Sequence, residues 1–85
     1  MKDKFYYKDG TTSSIYDNSK VLHRIDGPAI EWGNGDKEWV ANDKRLKTLT
    51  KQLLINYMKL NNLTLAHLLT DPDDVVRKSA EKYKW

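Results

Sequence analysis

The chain has 85 residues, three Trp and five Tyr, which is enough for one small globular domain over 1–85 and too little for two. It contains no cysteine, which excludes a disulfide scaffold, a thiol nucleophile and a Cys-ligated zinc site. The charged start and the absence of an apolar run of about 18 residues predict a cytoplasmic protein that does not contact a membrane.

The first half, 1–43, has the pattern of short strands joined by turns. Asp9-Gly10 and Gly33–Asp36 are strong turn signals, the second being typical of a hairpin loop. The predicted strands are 5–7, 11–16, 21–25, 29–32 and 37–40, and the predicted inner face contains Ile30, Trp32 and Trp39, with Val21 and Ile25 as further candidates. We therefore expect an antiparallel meander of three to five short strands.

The second half, 44–85, changes to a helical period. Either Thr48 or Thr50 is expected to cap a first helix that ends at Asn61-Asn62. Its predicted apolar face is Leu49, Leu53, Tyr57 and Leu60, widened by Leu54 and Met58. Thr64 is expected to start a short second helix over 64–69. The predicted fold is thus α+β, a meander followed by about three helices.

The stretch Asp71-Pro72-Asp73-Asp74 predicts the start of the third helix. Asp71 is the expected N-cap and Pro72 the first helical residue, with carboxylates at the positive end of the helix dipole. The predicted buried stripe of this helix is Val76, Ala80 and Tyr83. A core this thin also makes homo-oligomerisation an expected additional source of stability.

Residues 22–44, LHRIDGPAIEWGNGDKEWVANDK, resemble a MORN-like repeat unit found in small phage and bacterial proteins. The matching positions include Leu22-His23-Arg24, Asp26-Gly27-Pro28-Ala29, Gly35, Trp39, Asn42 and Lys44, while Asp43 replaces the glycine that usually follows Asn. The unit occurs once. We interpret its residues as structural: Asp26, Gly27 and Pro28 for a tight bend, Gly35 for positive φ, and Trp32 and Trp39 for the hairpin core.

Taken whole, the length, the basic balance and this hairpin unit resemble T-even phage accessory proteins, in particular the TifA family of inhibitors of ToxN-type endoribonuclease toxins. The resemblance implies a counter-defence protein that binds a host toxin endoribonuclease of a toxin–antitoxin system, with RNA in the complex. Two alternatives stay open: a nonspecific RNA-binding protein without a toxin target, and a structural phage assembly module.

Positive charge is concentrated around the junction of the two halves. Residues 1–43 carry six Lys or Arg and eight Asp or Glu, whereas 44–70 carry five basic residues and no acidic one. We predict an RNA- or partner-binding patch at Lys44, Arg45, Lys47 and Lys51, and a second basic stripe ending in an aromatic at Lys78, Lys82 and Trp85. The competing interpretation of both sets is an ordinary solvated surface.

No residue pattern predicts catalysis. His23 is expected to hydrogen-bond the backbone of a turn, and His67 to lie in the core or at its rim. An acid–base ribonuclease needs two titrating groups around one phosphate, and these two histidines belong to different halves. The run Asp71, Asp73, Asp74 lacks the glycine and the distal Glu of a calcium loop. We therefore expect a binding protein without a metal, a cofactor or an enzymatic activity.

Overall fold

A four-stranded antiparallel sheet and a separate two-stranded ribbon precede three helices, which confirms the predicted α+β class. The computed structural model describes residues 2–85. Its elements are β1 (Lys4–Tyr6), β2 (Thr12–Ser13), β3 (Ile30–Glu31), β4 (Lys37–Glu38), β5 (Val40–Ala41), β6 (Lys44–Arg45), α1 (Lys51–Asn61), α2 (Leu65–Leu69) and α3 (Asp74–Lys82). Within 2–85, no helix combines the length and the apolar character needed to cross a bilayer.

The sheet has the strand order β2-β1-β3-β4, with all neighbours antiparallel. Phe5 of β1 lies opposite Ser13 on one side and Ile30 on the other. The predicted strand 21–25 is wrong, because this segment makes only an isolated bridge between Leu22 and Tyr7. The amide of Leu22 donates to the Asp43 carboxylate at 2.8 Å, so a side chain takes the place of a strand partner.

Side-chain parity in that segment also differs from the prediction. Val21 and Ile25 are 38% and 61% exposed, whereas Leu22 between them is buried. Successive residues of an extended chain point to opposite faces, so the turn that sets the register decides which of them enters the core. Ile30 is buried in the sheet core as predicted, and Trp32 packs partly buried against it. Trp39 is buried, but it packs against the helices and not on the inner face of the sheet, which corrects that part of the prediction.

A second hairpin extends the β half beyond its predicted limit. β5 and β6 pair around Asn42 and Asp43, whose φ angles are 50° and 64°. Two consecutive positive φ values are the requirement of a type I′ hairpin turn, and Asn and Asp tolerate them best among residues with a side chain. Lys44 and Arg45 therefore lie in a strand, not at the start of the helical half.

Residues 22–44 contain two positions at which glycine fits the local structure. Gly35 has a φ of 95° in the β3–β4 loop. Arg24 stabilises the bend at 26–28 through two hydrogen bonds. Its Nε donates to the Asp26 carboxylate at 2.9 Å, and its Nη1 donates to the Pro28 carbonyl at 3.1 Å. A Cβ on Gly27 would lie 2.7 Å from the Arg24 Cζ, so glycine allows the guanidinium to pack against the turn.

The first two helices begin and end at the expected polar residues. Thr50 caps α1 by accepting the amide hydrogen of Leu53 at 3.1 Å, which resolves the choice between Thr48 and Thr50. Asn62 ends α1 in the left-handed conformation, and Thr64 precedes α2. Leu60 is 52% exposed, contrary to prediction; the residues that α1 buries are Leu54 and Tyr57.

The start of α3 lies two residues later than predicted. Asp71 does not cap the helix, because its Oδ1 accepts the Asp73 amide hydrogen at 2.8 Å across Pro72. Asp73 is the N-cap and accepts the amide hydrogen of Val75 at 2.9 Å. Val76 and Ala80 are buried as predicted, while Tyr83 lies beyond the last helical residue and is only partly buried.

Two apolar clusters make up the core, and adjacent residues join them. The helical cluster contains Trp39, Leu49, Leu54, Tyr57, Leu68, Val76 and Ala80. The sheet cluster contains Phe5, Tyr7, Leu22, Ala29, Ile30 and Val40. Trp39 and Val40 are neighbours in an extended segment, so their side chains enter opposite clusters and link the two halves of the chain.

Candidate functional site

The basic segment 44–51 crosses from the ribbon to the first helix, and its four cationic side chains are all exposed. Lys44 and Arg45 belong to β6, Lys47 lies in the connection, and Lys51 opens α1. Because α1 begins only at Lys51, Lys47 lies before the helix and does not share a helix face with Lys51. The cluster is therefore presented by three local conformations and not by one helix.

The connection between β6 and α1, which carries Lys47, is held against the helical core by hydrogen bonds. The Leu46 amide donates to the Trp39 carbonyl at 2.8 Å, and the Leu49 amide donates to the Ser79 hydroxyl at 2.9 Å. The Tyr83 hydroxyl donates to the Leu49 carbonyl at 2.7 Å, and the Leu49 side chain is fully buried. The exposed cations thus project from a backbone held by buried contacts on either side.

Arg45 does not contribute a free positive charge. Its Nε lies 2.9 Å from the Glu38 carboxylate, with 74% of the arginine side chain and 23% of the glutamate side chain exposed. Of the four basic residues in the predicted patch, Arg45 is thus paired with an acidic side chain. An exposed pair of this kind adds little stability, but it lowers the local positive charge.

Lys51 contacts the C-terminal residues Lys84 and Trp85, although 33 positions separate Lys51 from Lys84 in the sequence. The Lys51 Nζ lies 5.4 Å from the Trp85 ring centroid and donates to the Lys84 carbonyl at 3.0 Å. The Trp85 indole donates to the Ala80 carbonyl at 3.0 Å, and its ring packs edge-on against Tyr83. The ring is nevertheless 45% exposed, so an aromatic surface borders the basic segment.

The C-terminal stripe is only partly as predicted. Lys78 and Lys82 are exposed on α3, four residues apart. Trp85 does not continue their helical spacing, because α3 ends at Lys82. The aromatic that we assigned to this stripe is instead a neighbour of Lys51. Sequence spacing could not show this, because the contact depends on how the chain end folds back onto α1.

An acidic cleft of about 420 Å³ lies between the β3–β4 hairpin and the loop before α3. Its walls include Asp36, Glu38, Asp71, Asp73 and Asp74. Burial lowers the pKa of Lys37 in this cleft, but attraction to Tyr57, Asp71 and Asp73 outweighs burial and leaves the pKa above its ordinary value. The Trp39 indole donates to the Asp73 carboxylate at 3.0 Å. Across 2–85, no group of three or more His, Asp or Glu residues is arranged to hold a metal ion.

The two histidines make local backbone contacts. The His23 Nδ1 accepts the Asn42 amide hydrogen at 3.1 Å, which confirms the predicted turn contact. His67 is exposed, contrary to the prediction of a core or rim position, and its Nδ1 accepts the Thr64 amide hydrogen at 2.9 Å at the start of α2. The exposed position of His67 thus has a structural role: it completes a capping box at the start of α2, in the position where Glu or Gln is usual.

Comparison with known proteins adds nothing to this geometry. No protein-family model, no curated protein and no solved structure matches the chain.

Proposed function

We propose that this chain is a phage counter-defence protein that acts in the host cytoplasm, where it binds a toxin endoribonuclease together with RNA and prevents RNA cleavage. The resemblance of residues 22–44 and of the whole chain to such proteins supports the proposal. One structural observation carries its RNA-binding part: the exposed Trp85 ring borders Lys51 at the end of a basic segment that contains no acidic residue.

The chemistry of this surface suits a single RNA strand. Lys44, Lys47 and Lys51 offer charge to backbone phosphates, and the exposed indole offers a surface on which a base stacks. The connection between β6 and α1 is already fixed by its contacts with Trp39, Ser79 and Tyr83. Binding therefore costs less ordering entropy than it would on a mobile loop.

Binding without cleavage is the proposal that the histidine contacts favour. A general acid and a general base must both lie within hydrogen-bond reach of the reacting groups. His23 contacts a turn in the β half, whereas His67 contacts the start of α2. Each histidine ring therefore has a local structural role, and the proposed inhibitor uses neither ring as a catalyst.

We predict that reversing two charges, Lys47→Glu with Lys51→Glu, will weaken RNA binding and toxin inhibition together. Three phosphate contacts by lysine correspond to a slope of roughly −2 in a plot of log affinity against log salt, at about 0.7 per contact for single strands. The double variant should bind more weakly with a flatter slope. Fluorescence anisotropy with labelled single-stranded RNA measures both. Rescue of bacterial growth during coexpression of a ToxN-type toxin measures inhibition.

The matched control is Lys2→Glu with Lys59→Glu, which changes the net charge equally at two exposed lysines outside the segment. Folding of the test variant should persist, because Lys47 is exposed in the connection before α1 and Glu at position 51 is a good helix former in the first turn of α1, where a negative charge is favoured. If RNA binding is lost while inhibition persists, protein contacts alone hold the toxin. If the test and control variants behave alike, the basic segment is only a solvated surface and the RNA-binding proposal is wrong.

A further inference from the structure

A groove of about 330 Å³ opens next to the sheet core, and its lining includes the aromatic rings of Phe5, Tyr16 and Trp32 and the aliphatic side chains of Leu22, Ile30 and Val40. Phe5 is buried at its base, and its ring centroid lies 5.8 Å from those of both Tyr16 and Trp32. Arg45 and Asp43 form its polar edge. The volume is at the lower end of the range for small-molecule sites, about 300–1,000 Å³, and suits one planar ring system with its attached sugar.

The half-exposed Tyr16 ring is held in place through its neighbours. The Tyr7 hydroxyl accepts the Asp17 amide hydrogen at 2.7 Å, and the Ser13 hydroxyl donates to the Ile15 carbonyl at 2.7 Å. Hydrogen bonds from Ser19 lower the pKa of Asp17, so its carboxylate stays charged and keeps the following turn closed. An exposed aromatic on an anchored loop is a preformed stacking surface.

The opposite wall of the groove is continuous with the basic segment. Glu38 accepts the Trp32 indole hydrogen at 2.7 Å with one carboxylate oxygen and pairs with the Arg45 Nε at 2.9 Å with the other. Arg45 lines this groove and, together with Lys47, also lines a second pocket, so the groove lies near Lys47, one of the proposed phosphate contacts.

The charges inside and outside the groove differ in a way that selects its occupant. Asp43, fixed by its bond to the Leu22 amide, is the acidic residue of the groove lining and repels a phosphate or an acidic peptide. The positive charge of Arg45, the basic residue of the lining, is already paired with Glu38. The lysines outside attract phosphates. A ligand that is anionic along its backbone and neutral, flat and aromatic in its side groups satisfies both conditions, and this describes a single RNA strand.

We propose that the groove formed by Phe5, Tyr16, Trp32 and Arg45 holds one unpaired base of the RNA whose phosphates contact Lys44 and Lys47. This inference rests on the proposed function, since it names the part of the same RNA that enters a pocket. The base stacks against Tyr16, and the arginine guanidinium lies at the point where the sugar–phosphate backbone leaves the groove.

The three tryptophans allow a direct test by two-dimensional ¹H–¹⁵N NMR of their indole signals in the full chain. Trp32 lies in the groove, Trp85 borders Lys51, and Trp39 is buried with its indole bonded to Asp73. A short single-stranded RNA should shift the Trp32 signal and leave the Trp39 signal in place. An abasic strand of equal length and charge should leave Trp32 unshifted. Trp32→Phe and Trp85→Phe assign the signals.

Affinity measurements on variants of the loop complete the test. Tyr16→Ala should weaken RNA binding by about 5- to 150-fold, the range expected for loss of one stacked base. Tyr16→Phe should bind as the wild type does. Ile15→Ala is the matched control, since Ile15 is 78% exposed on the same loop and does not line the groove.

The outcomes separate this inference from the proposed function. If RNA binds and the lysine reversals weaken it, but Tyr16→Ala binds normally and the Trp32 signal does not move, the groove assignment is overturned and the proposed function stands. If RNA-free toxin moves the Trp32 signal and RNA does not, the groove is a protein-binding site and the assignment is overturned. If RNA moves no indole signal and the chain does not inhibit the toxin, both proposals are overturned.

Discussion

Trp39 is the residue with the most varied contacts in the core. It is 3% exposed, packs edge-to-face on Tyr57 at a centroid distance of 5.1 Å, and donates its indole hydrogen to Asp73. Its backbone carbonyl accepts the Leu46 amide hydrogen. One side chain thus connects the β3–β4 hairpin to α1 and to the N-cap of α3, and its carbonyl supports the basic segment.

Trp39→Ala should lower the free energy of unfolding by about 3–5 kcal/mol, because it leaves a large cavity and removes the indole N–H that donates to the Asp73 carboxylate. Chemical denaturation followed by circular dichroism measures the loss. Trp85→Ala is the control, since Trp85 is 45% exposed and should cost much less. Equal unfolding midpoints for Trp39→Ala and the wild type would contradict the assignment of Trp39 to the core.

At the scale of single elements, α1 depends on its first residues. It has no acidic side chain in its first turn and carries Lys51 there, which opposes the helix dipole. The Thr50 cap is therefore an important local stabilising contact, and it also sets the orientation in which Lys51 meets Trp85.

Thr50→Ala should cost about 1 kcal/mol of stability, the usual effect of removing an N-cap hydroxyl. Thr48→Ala is the matched control: Thr48 is also exposed, lies two residues earlier and does not cap the helix. Thermal unfolding of both variants distinguishes them. A larger loss for Thr48→Ala than for Thr50→Ala would place the start of α1 at the other threonine.

At the scale of the whole molecule, two small apolar clusters are joined where Trp39 and Val40 follow one another in the chain. The radius of gyration is 12.7 Å, close to the roughly 12 Å expected for a folded domain of this length. Neither cluster is large, and the Trp39–Val40 pair contributes to both. Asn56 of α1 also donates to the Ile25 carbonyl at 3.0 Å, a further link between the halves.

We therefore predict a single cooperative unfolding transition, without a populated state in which only one half is folded. Tryptophan fluorescence, which includes Trp39 of the helical cluster, and far-ultraviolet circular dichroism should give the same midpoint in urea. If the two methods gave different unfolding midpoints, the adjacent residues Trp39 and Val40 would not couple the two clusters, and the two halves would fold independently.

The sequence by itself determined the α+β class, an antiparallel β half followed by three helices, because turns, caps and helical periods depend on residues close in the chain. Gly33–Asp36 forms the β3–β4 loop, Thr64 starts α2, and Asn62 ends α1. It also located the basic segment, since an acid-free stretch is visible in the residue order alone. Even so, local patterns left open whether Thr48 or Thr50 caps α1.

Only the tertiary structure decided which of these residues meet. The burial of Leu22 in place of Val21, the pairing of Arg45 with Glu38 and the contact of Lys51 with Trp85 depend on segments that are distant in sequence. The aromatic groove likewise combines residues from the first loop, the sheet and β6. Such contacts are set by strand register and by how helices pack over the sheet, and local propensity carries no information about either.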